Sequence, residues 1–146
     1  MKKIVWAVAA VVLFLDQLSK FFAVRFLNPG ESLALIRNIF HLTIVRNTGA
    51  AFGIFKGARF FFIAVSIFVI IAIIAYTRST VKSFFLREAA FGLILGGAFG
   101  NLIDRLWSGC VIDFLDFRIW PVFNLADSAV TIGAIILVIC IPYSSK

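Results

Sequence analysis

The chain has 146 residues, 62% of them hydrophobic and only 14% charged, with a formal net charge of +7 and a mean hydropathy of +1.07. Soluble domains carry about one-quarter charged residues, so the composition excludes an ordinary soluble enzyme and points to an integral membrane protein. The basic excess reads as membrane topology and contact with lipid head groups; no basic patch interleaved with aromatics indicates a nucleic-acid partner.

Four apolar stretches approach the roughly 17–25 residues needed to cross hydrocarbon as a helix: residues 4–24, 60–76, 89–107 and 128–143. Lipid satisfies no backbone group, so all four are expected to be helical. The expected fold is therefore an all-α membrane protein, one four-helix domain over residues 1–146, with a small β-structure and a surface loop on one face. The start, Met1-Lys2-Lys3 before an apolar run, also has the form of a signal peptide. The run continues past Asp16 without a small-x-small cleavage site and is taken as a retained first helix. Lys2, Lys3, Lys146 and the short loop holding Arg78, Lys82 and Arg87 form one basic side. The positive-inside rule puts that side, and both termini, in the cytoplasm.

In the first span Asp16 and Lys20 are four apart, hence on one helical face, and an ion pair between them is expected. The first long loop then carries the β-prone run from His41 to Val45 and the turn signal Asn47-Thr-Gly-Ala-Ala-Phe-Gly53, so a small sheet resting on the membrane surface is expected. Residues 33–40 are expected to lie against the head groups.

The third span carries Asn101, Asp104 and Arg105 on one face, and ionisable residues at such depth face partners or water. Arg105 is badly placed to close on Asp104 and is expected to reach another loop or substrate carbonyls. Gly92, Gly96 and Gly100 form a small-residue stripe, matched in the fourth span by Ala129 and Gly133. If those stripes meet, the loop between the two spans folds back over their junction.

That loop brings the chemistry. Asp113 and Asp127 lie in one polar break, and two carboxylates at a membrane rim can share a proton and activate water. Asn124 is placed to cap the fourth helix with Asp127 three residues on. The helix end favours an ionised Asp127, and the apolar neighbours of Asp113 favour its protonated form. Asp116, three residues beyond Asp113, is an equal candidate by spacing alone.

Competing readings are weaker. A single histidine and no H-E-x-x-H pattern oppose a zinc peptidase, and no metal or cofactor is expected. A His41–Cys110 peptidase lacks a third orienting group. A Cys110–Cys140 disulfide would have to span about 20 Å of helix rise. A small transporter would account for Asp16, Lys20, Asp104 and Arg105, yet needs a polar track along the inner half, and a purely structural subunit would tolerate loss of either aspartate.

Five blocks in order, Asp16-Gln-Leu-Ser-Lys20, Val45-Arg-Asn-Thr-Gly-Ala-Ala-Phe-Gly53, Gly100-Asn-Leu-Ile-Asp-Arg105, Val111-Ile-Asp-Phe114 and Phe123-Asn-Leu-Ala-Asp127, resemble bacterial lipoprotein signal peptidase, or signal peptidase II. The resemblance implies an aspartic endopeptidase that removes signal peptides from diacylglyceryl-modified prolipoproteins, working at the outer face of the bacterial cytoplasmic membrane. It makes Asp113 and Asp127 the catalytic pair. Asn47, Asn101, Arg105 and Asn124 would hold substrate or order the site, with Asp16, Lys20 and Asp104 supporting it structurally. It also implies a β-cradle beside the site and inhibition by the cyclic depsipeptide globomycin.

Overall fold

The computed structural model describes residues 3–49, 57–78 and 84–140. Four helices, α1 (Lys3–Phe26), α2 (Arg59–Arg78), α3 (Phe85–Trp107) and α4 (Leu125–Cys140), are joined at one end of the bundle by three strands, β1 (Ser32–Ile36), β2 (Phe40–Asn47) and β3 (Val111–Asp116). Three helices, α1 to α3, are long and apolar enough to cross a membrane, and α4 is a shorter apolar helix. The end of the fourth apolar stretch, the small residues after Gly49 and Lys82 of the basic loop lie outside the described residues.

Large apolar side chains point outward from the bundle, among them Phe14 at 64%, Phe68 at 73% and Val138 at 66% exposure. In water these would be a liability; against lipid they are the matching surface. The interior is built around α3, which touches every other helix. Its glycines make this possible, but not in the expected arrangement. A Cβ at Gly92 or Gly96 would fall 2.7 Å from the Cβ of Val8 or Val12 in α1, whereas Gly97 is the residue pressed against Ala126 and Val130 of α4. The Gly92–Gly96–Gly100 stripe thus seats α1. Gly133 of α4 does meet α3, at Ile94 and Ala90. The physical reason is that a helix facing two neighbours needs two narrow faces, and Gly96 and Gly97, about 100° apart around the axis, supply one each.

The sheet is antiparallel throughout, in the order β1-β2-β3. The β-branched run of residues 41–45 lies within β2 as expected. The β1–β2 turn uses Asn38 at φ 63, a left-handed conformation that asparagine tolerates. β3 was not anticipated from sequence. It begins where α3 ends, through Ser108 as helix cap and Gly109 at φ 77, a reversal suited to glycine. Ile44 and Phe114 pack with Ala23 and Leu27, seating the sheet on the end of α1. Full burial of a side chain such as Phe114 is worth about 2 kcal/mol. Beyond β3 the chain doubles back: the amides of Phe114 and Leu115 donate to the Phe123 carbonyl at 3.0 and 2.8 Å. That pairing delivers Asn124 and the start of α4 beside Asp113.

Candidate active site

Asp113 and Asp127 arrive from different elements, β3 and the first turn of α4, and line one cavity of about 350 Å³ with Asn47 and Arg105. Asp113 is 1% exposed. The two carboxylates are linked by amides. Asn124 Nδ2 donates to Asp113 Oδ1 at 2.6 Å and to Asn101 Oδ1 at 3.2 Å, and Asn101 Nδ2 donates to Asp127 Oδ1 at 2.8 Å. Asn47 Nδ2 donates to the other oxygen, Asp113 Oδ2, at 2.9 Å.

Each of these amides is oriented by a group that can only donate. Asn124 Oδ1 accepts the backbone N–H of Asp127 at 2.8 Å, and Asn47 Oδ1 accepts that of Gly49 at 2.9 Å. Asn101 Oδ1 accepts from Lys20 Nζ at 3.2 Å. With every Oδ1 occupied in this way, every Nδ2 is turned toward a carboxylate.

Behind the amides lies a buried ionic cluster. Lys20 Nζ pairs with Asp16 Oδ2 and Asp104 Oδ2, both at 2.8 Å, so with Asn101 all three ammonium protons are used. The expected Asp16–Lys20 pair is present and extends to a third residue. Asp16 also reaches across the bundle, its Oδ1 accepting the Ala126 N–H at 2.9 Å. α4 therefore starts with one free N–H satisfied by Asn124 and another by α1. Asp104 Oδ2 accepts the Ile112 N–H at 3.2 Å and so ties β3 to α3. Gln17 had not been singled out; its Nε2 lies between Asp16 Oδ2, the Gly100 carbonyl and Asp104 Oδ1. It sits one residue from Asp16 inside the first block, which is the only sequence signal it offers.

Arg105 lies against the Phe62 ring, its guanidinium carbon 5.0 Å from the centroid, and faces the carboxylate cavity. A narrower groove of about 290 Å³ shares Phe62, Arg105, Asp127 and Thr131 with that cavity and continues between α2, α3 and α4 past Val65 and Val130. The site thus opens onto an apolar track down the bundle.

Asp113 and Asp116 are three apart in β3, but the register shift between Leu42 and Val45 and the shared Phe123 acceptor of the Phe114 and Leu115 amides interrupt the alternation between them, so it is their partners and not strand parity that separate the two. Asp116 is held by Thr43 Oγ1 at 2.8 Å and by the Arg118 N–H and guanidinium at 2.8 and 3.2 Å. Burial raises its pKa, but those donors and the Arg118 charge outweigh burial and hold it below the usual carboxylate range. Asp113 behaves in the opposite way. Burial, and then the charge of Asp127, push its pKa up to about 7, against the opposing hydrogen bonds of Asn47 and Asn124. His41 and Cys110 are kept apart: His41 pairs with Asp116 at one end of the β2–β3 ladder, and Cys110 precedes Val111 at the other. That is about 20 Å of strand. Cys110 and Cys140 are both free.

Residues 8–143 match the family described as Signal peptidase (SPase) II. The chain belongs to this family. It is 48% identical over 135 residues to the lipoprotein signal peptidase of Halothermothrix orenii, covering 92% of each chain. It is 50% identical over 129 residues to that of Moorella thermoacetica, covering 88% of this chain and 86% of the relative. A solved bacterial membrane enzyme, determined by the in meso method at 2.3 Å resolution, superposes with a TM-score of 0.89 at 33% identity, over 97% of this chain and 89% of that one. The family is one of peptidases, and the apolar helices make this member an integral membrane protein of bacteria.

Proposed function

We propose that this signal peptidase II family member is an aspartic endopeptidase that removes signal peptides from diacylglyceryl-modified prolipoproteins, with Asp113 and Asp127 activating the attacking water. The observation that carries the reading is the meeting of these two carboxylates, from separate elements, in one cavity at the end of an apolar bundle. In the resting enzyme Asp113 holds the shared proton, in keeping with its raised pKa. Asp127 takes a proton from water while Asp113 polarises the scissile carbonyl, and the roles exchange as the amine leaves. Because the pair is coupled, its two ionisations belong to both groups.

The substrate class follows from depth. A lipid-modified cysteine holds the scissile bond at the membrane surface, so anchoring supplies proximity. The groove below the cavity, apolar at Val65 and Val130, suits the hydrophobic part of such a substrate. Arg105 and the asparagines are placed to hold its backbone, and a globomycin-type depsipeptide would compete for the same space. The cavity end of the bundle is the outer end in this reading, with both termini in the cytoplasm of a bacterial cell and the protein in its cytoplasmic membrane.

A transport reading is disfavoured by the middle of the bundle. Glu88 and Thr77 are buried at the far end, a polar group not foreseen from sequence, but Ala9, Ile70, Ile73, Leu95 and Ala98 separate them from the Lys20 cluster with an apolar layer.

The test uses purified enzyme, a diacylglyceryl-modified precursor and the same precursor without lipid, in water enriched in oxygen-18. The reading predicts cleavage of the modified precursor, with one label in the new carboxyl group of the released signal peptide. Equal cleavage of the unmodified precursor would overturn the substrate class.

A further inference from the structure

A second cavity, of about 640 Å³, lies on another face of α3 and shares no lining residue with the carboxylate cavity. Its apolar walls include Phe21 and Val24 of α1 and Ile103 and Trp107 of α3; two arginines, Arg25 and Arg46, also line it, as do Lys20 and Asp104 of the buried ionic cluster. The volume falls within the usual range of ligand sites.

Several observations identify what fits there. Arg25 lies in the last turn of α1 and Trp107 ends α3, so both stand at the level where the bundle leaves the hydrocarbon, a position suited to aromatic and basic side chains. Arg46 precedes Asn47 in β2, and successive strand residues alternate in direction, so one points to this groove and the other to the carboxylate site. Both arginines are exposed. The nearby carboxylates of Asp16 and Asp104 are already committed to Lys20. That cluster, two carboxylates to one ammonium, carries one excess negative charge, so the two guanidinium groups at the groove still exceed it by one positive charge. Phe14 and Leu18, 64% and 38% exposed, lie along α1 on its course into the bilayer.

We propose that this groove binds an anionic phospholipid, with the head-group phosphate between Arg25 and Arg46 and the first part of an acyl chain against Phe21, Val24, Ile103 and Trp107. The groove shares no lining residue with the carboxylate cavity, although Lys20 and Asp104 of the cluster behind that cavity line it. It takes a bulk lipid of the membrane rather than the protein substrate, and guanidinium pairs are well matched to phosphate oxygens.

Native mass spectrometry of the detergent-solubilised protein tests this, with phosphatidylglycerol and phosphatidylcholine of identical acyl chains as probes. The wild type is expected to retain phosphatidylglycerol in preference to phosphatidylcholine. The Arg25→Gln/Arg46→Gln double variant should bind phosphatidylglycerol about thirtyfold more weakly, the loss for two basic residues near an anionic surface. Arg78→Gln, at the other end of the bundle, should leave binding unchanged. Val24→Trp, which fills the groove without altering charge, should also weaken it. Equal retention of the two lipids, full binding by the double variant or by Val24→Trp, or an equal loss in Arg78→Gln would each overturn the proposal. Displacement of the lipid by inorganic phosphate at equal concentration would reduce the groove to an anion site and overturn the lipid assignment.

Discussion

Asn124 Oδ1 accepts the backbone N–H of Asp127 at 2.8 Å, and this bond decides where the rest of the amide points: Nδ2 is left facing Asp113 Oδ1 at 2.6 Å. A helix cap and a carboxylate ligand are thus two ends of one side chain. Replacing Asn124 with Ser separates them, since serine caps helices about as well but does not extend to Asp113. Asn124→Ser should keep thermal stability within about 1 kcal/mol of wild type while cleavage of a lipid-modified precursor falls by about tenfold or more, as expected for a misplaced catalytic acid. Thermal unfolding and initial rates on the same preparation check both halves.

Asp113 and Asp116 should differ sharply despite their spacing. Asp113→Asn is expected to lose about 10²–10⁴ in cleavage rate, the usual contribution of a positioned acid or base. Asp116→Asn removes an ion pair to Arg118, which is half exposed, and should cost no more than about 1 kcal/mol of stability with cleavage close to wild type. Cleavage assays on the two variants decide the matter.

Lys20 pairs with two buried carboxylates and orients Asn101. Lys20→Met leaves Asp16 and Asp104 unpaired and should destabilise by about 3–5 kcal/mol, read as a lower unfolding midpoint in detergent. Gly100→Ala acts on the same cluster by crowding, since its new Cβ would collide with the Asp16 carboxylate. A loss of about 1–3 kcal/mol is expected there.

The pH dependence follows from Asp113. On the proposed mechanism its protonated form is the active acid, so kcat/KM should fall as pH rises through about 7. Asp127→Asn removes the second cause of that high value but not burial, which is the first, so the Asp113 ionisation should move down yet stay above about 4. Infrared difference spectra of the carboxyl band during titration report it. For stability, the folded protein binds this proton more tightly than the unfolded chain. Its favourable contribution is therefore complete below about pH 4 and lost as pH rises toward about 7.

Long, strongly apolar segments made the helices legible in the sequence, because lipid forces helices on such segments, and the motif blocks marked the two aspartates that line one cavity. β3 was missed because Val111–Asp116 is a short apolar run with no clean alternation, readable as either strand or loop. Even with the strand in view, parity would not have separated Asp113 from Asp116, because a bulge at Phe114 and Leu115 interrupts the alternation between them. The glycine stripe was legible but its partner was not, since spacing identifies a narrow face without saying which helix occupies it. Asp16 as acceptor for the Ala126 N–H spans 110 positions, a contact no local pattern records.

A double-mutant cycle tests the joint action of the two carboxylates most directly: cleavage of a lipid-modified precursor by Asp113→Asn, Asp127→Asn and the double variant, each confirmed as folded. The account predicts that each single change removes about 10²–10⁴ of the rate and that the double variant is no slower than the worse single, because groups acting as one unit are lost together. Near wild-type cleavage by either single variant, or losses that multiply in the double, would contradict it.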